Sequence, residues 1–266
     1  MEAKLKAIYA GFPEGVKKVL RPILRNYWYL RHIIRLPYYS SLFNSFKGAP
    51  INLVKFEEKI YSEQGEDGIL LAIFKKIGTT NKFVVDFGAG DGVTCNSGFL
   101  VKHKKWNSLQ MDFLTIGAPR VKTEKISAEN IEELFKKYSV PEEFDLLTID
   151  TDFNDYWIWK AITHFSPRVV VLEYNPAFSY DESMVVEYDV NGWGDNSSYF
   201  GASLLAYSKL GKEKGYTLVA CTSKGMNCFF VRNDLVENNF LLKPLSAYYT
   251  PTEYRESPSG KKMIAI

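Results

Sequence analysis

The sequence has few cysteines and no long apolar run, and both absences narrow the classes of protein to which it can belong. The three cysteines, Cys95, Cys221 and Cys228, form no pair with metal-binding spacing. An odd count in a chain whose first residues are too interrupted by charge for a secretory signal predicts reduced thiols in a cytoplasmic protein. No run of about 18 apolar residues is present, so nothing in the sequence is typical of a transmembrane helix.

The chain also lacks an excess of charge of either sign, since 33 Lys and Arg residues are matched by 31 Asp and Glu residues. A chain so close to neutrality is not expected to bind polyanions over its whole surface. An Asn/Asp-Pro-Pro-Tyr/Phe motif is absent, and the basic residues cluster outside the segment that carries the motifs described below. We therefore do not expect a nucleic acid as a partner.

The basic residues are concentrated in residues 1–47, where nine Lys and Arg residues accompany only two acids. Aromatic and aliphatic residues lie between them, and Pro13, Pro22 and Pro37 predict several short helices. Basic amphipathic helices of this kind are typical of membrane interfaces, which predicts peripheral contact with the inner face of the membrane. The alternative is a helical cap that packs on the domain or on a second copy of the chain, as in a homo-oligomer.

Length and composition predict a single α/β domain with an appendage. We place the boundary after residue 55, so that residues 1–55 form a basic amphipathic helical extension and residues 56–266 form the main domain. Alternating helical and extended patterns predict a doubly wound, mostly parallel sheet, whose last two strands are an antiparallel pair. The predicted strands are 83–87, 108–112, 121–126, 145–149, 168–173, 216–221 and 227–231. The predicted helices are 57–78, 95–103, 129–138, 156–165 and 202–214.

The most informative segment is FVVDFGAGDG at residues 83–92. An apolar run that ends in alternating glycines is typical of a buried parallel strand followed by a tight loop, where nucleotide-like ligands bind. Val93 stands where the dinucleotide fingerprint needs its last glycine, and the Gly-Lys-Ser/Thr ending of a phosphate loop is missing. We therefore interpret the segment as a loop for S-adenosylmethionine (SAM). A purely structural strand-turn is the alternative.

Acids end several of the predicted strands, at the edge of the sheet where ligands bind. Asp112 follows the glycine loop at the end of the next strand, where an acid accepts hydrogen bonds from ribose hydroxyls. The alternative for Asp112 is a solvated strand end. Asp86 closes the first strand, and we expect it either to orient the loop or to reach the ammonium group of the cofactor through water.

Asp150, Asp152 and Asp155 lie within six residues after the fourth strand. Their charges repel one another unless a cation or hydrogen-bond donors neutralise them. Oxygen ligands suit Mg²⁺, and Glu173 and Asn175 at the end of the neighbouring strand would complete such a site with Asp150. A bound cation would hold a hydroxyl substrate and lower its pKa. The alternative is a solvated turn in which an Asp or Asn caps the next helix.

Four motifs are specific in combination. They are YSEQGEDGIL at 61–70, the glycine loop with Asn96 and Ser97, IDTDFNDY at 149–156 and LEYNP at 172–176. With them the chain resembles the FkbM-type SAM-dependent methyltransferases, in a branch found with polysaccharide and glycolipid biosynthesis. GASL at 201–204 and GMNCFFV at 225–231 agree with the same branch. The chain departs from the family at Phe153, which replaces a glycine, and at Tyr174, which replaces a second acid.

The resemblance implies a Rossmann-like SAM methyltransferase fold and methyl transfer to a hydroxyl, often of a sugar, glycan or glycolipid. The residues on the cofactor side would be Gln64, Glu66, Asp86, Gly88, Ala89, Gly90, Asn96 and Asp112. Asp150 and Glu173 match the metal positions of some sugar O-methyltransferases with this fold, which leaves Mg²⁺ as an optional second cofactor.

We expect Asp150 or Asp152 to act as the general base or metal ligand, because both lie beside the methyl donor, and Asp155 is the third catalytic candidate. A different class of protein, a non-catalytic SAM-binding or scaffold module in a glycan or membrane assembly, is the alternative function. A nicotinamide dinucleotide is the alternative ligand, and the glycine spacing argues against it.

Overall fold

The structure is a computed structural model that describes residues 12–46, 48–114, 118–194, 197–253 and 260–266. Its centre is a seven-stranded sheet in the order β3-β2-β1-β4-β5-β8-β7. The strands are β1 (Phe83–Phe87), β2 (Asn107–Asp112), β3 (Val121–Thr123), β4 (Glu143–Ile149), β5 (Ser166–Glu173), β6 (Met184–Val185), β7 (Tyr216–Cys221), β8 (Asn227–Arg232) and β9 (Ile264–Ala265). The α-helices are α1 (Glu14–Ser45), α2 (Glu66–Ile77), α3 (Gly98–Lys104), α4 (Ile131–Lys137), α5 (Asp155–Ala161) and α6 (Leu204–Glu213).

The first five strands of the sheet run parallel, whereas β8 runs antiparallel to both β5 and β7. Strands β6 and β9 form a separate antiparallel pair. The chain moves outward from β1 through β2 to β3, and then returns to the other side of β1 with β4. The predicted Rossmann-like, doubly wound sheet with its antiparallel strand pair is therefore confirmed, and the reversal next to β1 is the position where ligands bind in such sheets.

The core lies on both faces of the sheet, because successive side chains of a strand point to opposite sides. Val85 and Leu147 belong to the cluster that includes α4, α5 and α6, whereas Val84 and Leu146 belong to the cluster that includes α2. All four side chains are inaccessible to solvent. Each such burial contributes roughly 1.5–3 kcal/mol, which explains why the strands read as continuous apolar runs.

The helix predicted over 57–78 begins later, at Glu66. Gly65 precedes it with a φ of +124°, which excludes a continuous helix through this point. The buried carboxylate of Asp67 accepts hydrogen bonds from the backbone amides of residues 60–62 and so stabilises a loop there. The segment before Glu66, whose apolar residues recur at helical spacing, is thus a loop that buries these side chains.

The prediction that prolines divide the extension into short helices is wrong. Helix α1 continues from Glu14 to Ser45 with Pro22 and Pro37 inside it. Its buried side chains Trp28 and His32 pack on the main domain, and tertiary packing of this kind compensates for the hydrogen bonds that two prolines remove. Residues 1–11 and 47 of the predicted extension lie outside the described residues.

The four later helices, α3 to α6, are also shorter than predicted. The helix expected from residue 95 begins at Gly98. The carbonyl oxygen of Val93 lies so close to Gly98 that a Cβ there would be only 1.9 Å from it. The helix expected over 156–165 ends at Ala161, because Ile162 adopts an extended conformation that leads into β5. Among the described residues, no helix has both the length and the apolar character needed to cross a bilayer.

Candidate functional site

Two adjoining cavities lie at the carboxyl ends of the central strands. The first, the glycine-loop cavity, has a volume of about 240 Å³ and is lined by Gly88, Asp112, Phe113, Asp150, Asp152 and Trp193 among others. The second, the Glu173 cavity, has a volume of about 300 Å³ and is lined by Asp152, Glu173, Trp193, Phe200 and Met226 among others. Because Asp152 and Trp193 belong to both, the two cavities meet at these residues.

The glycine loop connects three strands. The amide of Gly88 donates to the carbonyl of Met111 on β2, at 3.0 Å. Gly88 has a φ of +74°, and a Cβ placed there would lie 1.7 Å from the carbonyl oxygen of Asp150 beyond β4. Gly90 has a φ of +54°, and no atom lies within 4 Å of a Cβ built on it. Gly88 is therefore needed for packing, whereas Gly90 leaves open space above the loop.

Asp112 lies where the sequence predicted a hydroxyl acceptor, on the wall of the glycine-loop cavity. One of its carboxylate oxygens accepts from the amide of Gly90 at 2.9 Å, and the other accepts from the amide of Leu114 at 2.7 Å. Each carboxylate oxygen has two lone pairs, so the group retains acceptor capacity. The two amide contacts fix the carboxylate at the edge of the cavity.

Of the two roles expected for Asp86, the structure favours orientation of the loop. Its buried carboxylate accepts from the amide of Ser97 at 3.1 Å and from the hydroxyl of Thr148. Burial raises the pKa of this group. Asn96 lies half-buried in the same turn, and Ala89 is fully buried in the loop that Asp86 supports.

The acids at the ends of β4 and β5 come together. Carboxylate oxygens of Asp150, Asp152 and Glu173 all lie within 4.8 Å of one another, which defines the acidic triad of this site. Asp152 has a φ of +63°, a left-handed conformation that few non-glycine residues adopt and that is often found at functional sites. The triad occupies the junction of the two cavities.

The pKa values of the triad show that its negative charges are poorly compensated by the protein. Burial, and then the neighbouring charge of Glu173, raises the pKa of Asp150 well above its usual range. Burial and the charge of Asp112 raise the pKa of Asp152. Burial and the charge of Asp155 raise the pKa of Glu173 to about 8. A cation or a proton is therefore expected in this group at neutral pH.

Asp155, predicted as a catalytic residue, is hydrogen-bonded to the loop that carries the triad. It is the first residue of α5 and is inaccessible to solvent. One of its oxygens accepts from both the amide and the hydroxyl of Thr151, at 2.7 and 2.5 Å. Burial raises the pKa of Asp155 to about 6. Asp155 thus acts on Asp150 and Asp152 through the turn between them.

Asn175, predicted as a metal ligand, is committed to backbone groups. Its side-chain amide donates to the carbonyls of Ser198 and Phe200, each at 2.9 Å, and its side-chain oxygen accepts from the amide of Ala177 at 3.1 Å. The side chain is fully buried and connects the end of β5 to the loop that lines the Glu173 cavity. We therefore leave Asn175 out of the ligand set.

The motif at residues 61–70 lies beside the Glu173 cavity. The buried Glu66 accepts from the amides of Gln64 and Gly65, both at 2.8 Å, and from the side-chain amide of Asn227 at 2.7 Å. Gln64 donates to the sulfur of Met226, which lines the cavity. The side-chain oxygen of Gln64 is buried and has no hydrogen-bond partner among the described residues. Gln64 is thus available to a ligand, whereas Glu66 fastens the loop to β8.

Sequence reasoning missed the aromatic wall of the glycine-loop cavity. Phe113 and Trp193 are each about half exposed, and their ring centroids are 6.0 Å apart. Trp193 is the one large aromatic residue of a glycine-rich segment, a pattern that fits a sugar contact and a surface turn equally well. Because Trp193 lines both cavities, the sugar contact is favoured. For Phe113, its position directly after Asp112 was the one feature of the sequence that could have indicated a place in the site. Residues 195 and 196 of the loop lie outside the described part of the chain.

The raised pKa of Glu173 makes the stability of the protein depend on pH. The pKa of Glu173 rises from 4.5 to about 8 on folding. The contribution of protonated Glu173 to the free energy of unfolding is therefore fully present below pH 4.5 and is lost as the pH rises through about 8. We expect the free energy of unfolding in EDTA to fall by about 1 kcal/mol or more between pH 5 and pH 8 relative to Glu173→Gln. Urea titrations of both proteins measure this difference, and parallel pH profiles would contradict the prediction.

No family model matches the chain, and no curated protein matches it in sequence. Among solved structures, TnmH is similar with 13% identity and a TM-score of 0.35, over 56% of this chain and 49% of TnmH. A SAM-dependent methyltransferase from Aquifex aeolicus is similar with 12% identity and a TM-score of 0.35, over 60% of this chain and 87% of that one.

The O-methyltransferase NcsB1 of neocarzinostatin biosynthesis, solved with S-adenosyl-L-homocysteine (SAH) and 1,4-dihydroxy-2-naphthoic acid, is similar with 15% identity and a TM-score of 0.31. That match covers 57% of this chain and 49% of NcsB1. The chain thus spans about half the length of TnmH and of NcsB1. At TM-scores below 0.5 these similarities carry no argument about function, and the fold assignment rests on the strand order itself.

Proposed function

We propose that the protein is a SAM-dependent O-methyltransferase that acts on a hydroxyl group of a sugar, glycan or glycolipid. The observation that carries the proposal is the position of the acidic triad at the junction of the glycine-loop cavity and the Glu173 cavity. One cavity would hold the methyl donor and the other the acceptor. The triad would then lie between the two reactants, where an acceptor hydroxyl must lose its proton.

The residues of the glycine-loop cavity fit the adenosyl cofactor. Gly90 leaves open space beside the loop, and Asp112 retains lone pairs for ribose hydroxyls. The rings of Phe113 and Trp193 provide an apolar wall for an adenine ring. When bound, SAM supplies a methyl group on a sulfonium for transfer to an acceptor oxygen.

The chemistry of the triad also fits a divalent cation. Three carboxylates at mutual distances within 4.8 Å form an all-oxygen donor set, which Mg²⁺ prefers. Asp150, Asp152 and Glu173 would hold the ion, which would lower the pKa of an acceptor hydroxyl bound to it. The raised pKa values of the triad indicate negative charge that the protein does not balance, as expected of an acidic site built for a cation.

In this mechanism the protein contributes mainly alignment and proton removal. The two cavities hold the reactants on either side of Asp152, and such orientation can supply roughly 7–11 kcal/mol of the barrier. Where the triad holds no cation, Asp150 or Asp152 takes the proton of the acceptor hydroxyl. Asp155 holds the turn that places both carboxylates, through its hydrogen bonds to Thr151.

The Glu173 cavity supports a sugar as the acceptor. Its lining combines the carboxylates of Asp152 and Glu173 with the rings of Trp193 and Phe200. Sugars present hydroxyl groups at their edges and C–H groups on their faces, so they suit acids and aromatic rings together. The resemblance to the FkbM-type methyltransferases is consistent with the same class of acceptor.

Titration calorimetry with SAH tests the cofactor site. We expect the protein to bind SAH and Asp112→Asn to bind it about tenfold or more weakly, because a charged acceptor of hydroxyl hydrogen bonds is lost. Asp181→Asn, which removes an exposed carboxylate elsewhere, is the matched control and should bind like the native protein. If the native protein does not bind SAH, the alternative of a scaffold module is favoured instead.

A further inference from the structure

Helix α1 presents a continuous apolar face to solvent. The exposed residues of this outward face recur at helical spacing, with exposed fractions between 41% and 78%, and they are Val16, Val19, Ile23, Tyr27, Leu30, Ile33 and Ile34. Steps of three and four residues place them on one side of the helix. Contiguous apolar patches of this kind mark interaction surfaces.

The opposite face of α1 is anchored on the main domain, so the outward face cannot turn inward. Trp28 and His32 are buried there, and Nδ1 of His32 lies 2.7 Å from a carboxylate oxygen of Glu58. Further along, Tyr39 and Phe43 pack against the core cluster that includes α2. Rotation of the helix would break these contacts, and the outward face therefore needs an external partner to leave water.

Charge distinguishes between the partners that could cover this face. Helix α1 contains six Lys and Arg residues and one acid, Glu14. Arg25 and Arg35 form ion pairs with acids of the main domain, Asp91 and Glu58, and the helix still keeps an excess of positive charge. A second copy of the helix would bring two such sets of positive charge together, which opposes pairing. An anionic lipid surface attracts the same charges and accepts the apolar face. Tyr27 adds an amphipathic ring, which is favoured at membrane interfaces.

We propose that the outward face of α1 docks on an anionic lipid bilayer, with the helix axis parallel to the membrane plane. The helix has 32 residues and is therefore about 48 Å long, so its apolar side chains would enter the interface along much of its length. Basic amphipathic helices bind lipid in this way through apolar burial and attraction to anionic head groups together.

The docked helix would also place the candidate active site near the membrane. Nη1 of Arg25, on α1, lies 3.5 Å from a carboxylate oxygen of Asp91 in the glycine loop. The loop would thus lie about one helix diameter, about 10 Å, from the lipid surface. This position indicates an acceptor that is itself attached to lipid, such as a glycolipid, an inference that rests on the proposed function.

Vesicle cosedimentation tests the docking surface. The probes are vesicles of equal parts phosphatidylglycerol and phosphatidylcholine, compared with vesicles of phosphatidylcholine alone. We expect the full chain to bind the anionic vesicles, and Leu30→Ser with Ile34→Ser to lower the affinity about tenfold or more. The matched control is Leu241→Ser with Leu242→Ser, which changes two exposed leucines outside α1.

Three results would overturn the proposal: no binding of the full chain to anionic vesicles, equal binding by the α1 variant, or a native dimer that the α1 variant converts to a monomer. In the last case a second copy covers the face. Circular dichroism and SAH titration on the same preparations distinguish a failure of the docking proposal from a misfolded variant and from a failure of the proposed function. A variant that still binds SAH but no longer binds vesicles supports the docking surface.

Discussion

Replacement of Asp150 by asparagine is expected to lower the rate of methyl transfer by about a hundredfold or more, and to leave SAH affinity nearly unchanged. Asp150 is half-buried within the acidic triad, and its pKa is raised by burial and by Glu173. Asparagine keeps the size of the side chain, but it can neither accept a proton nor hold a cation with a full charge. The loss should therefore appear in kcat rather than in cofactor binding.

The rate is measured as SAH released from SAM over a panel of free sugars, nucleotide sugars and lipid-linked glycans. Asp155→Asn is the informative comparison, because Asp155 touches neither cavity but holds the turn of the triad through Thr151. We expect it to lose less activity than Asp150→Asn. An Asp150→Asn protein that binds SAH and turns over at the native rate would remove Asp150 from the mechanism.

Replacement of Gly88 by alanine is expected to destabilise the protein by about 3 kcal/mol or more and to abolish SAH binding. A Cβ at this position would lie 1.7 Å from the backbone carbonyl oxygen of Asp150, and backbone cannot move aside as a flexible side chain can. The positive φ adds strain of roughly 1–2 kcal/mol. Relief of the clash must separate β1 from the turn that carries the acidic triad.

Gly90→Ala is the matched control for this steric argument. Gly90 also has a positive φ, but no atom lies within 4 Å of a Cβ placed on it. We expect only the conformational strain, roughly 1–2 kcal/mol. Thermal and urea unfolding of both variants measure the difference. Equal losses of stability in the two variants would mean that the close contact between Gly88 and Asp150 does not limit the residue at position 88.

The sheet was predictable from sequence because its strands are buried on both faces. A strand such as β1 is then apolar except for Asp86 and is followed directly by glycine, a pattern that few other structures produce. The acids that end β2, β4 and β5 could be placed at one edge for the same reason, since parallel strands end together. Asp150 and Glu173 could therefore be paired from the sequence alone.

Other features of the candidate site could not be predicted, because they depend on hydrogen-bond partners and contacts that the sequence does not reveal. Asn175 has the right residue type for a ligand, but backbone groups of neighbouring loops occupy its side chain. Asp155 has the right residue type for a base, but it is fully buried and Thr151 occupies one of its two oxygens. Asp152 joins the triad through a left-handed backbone conformation, which Asp adopts more often than most residues but which the sequence does not locate at this position. Helix α1 persists through Pro22 and Pro37 because of contacts with residues distant in sequence.

A crystal structure of the SAH complex tests the central claim most directly. We expect the ribose hydroxyls to contact Asp112, the adenine ring to lie near Phe113, and the sulfur to face the acidic triad at the junction of the two cavities. SAH bound elsewhere on the protein, or bound with its sulfur directed away from Asp150, Asp152 and Glu173, would contradict the account.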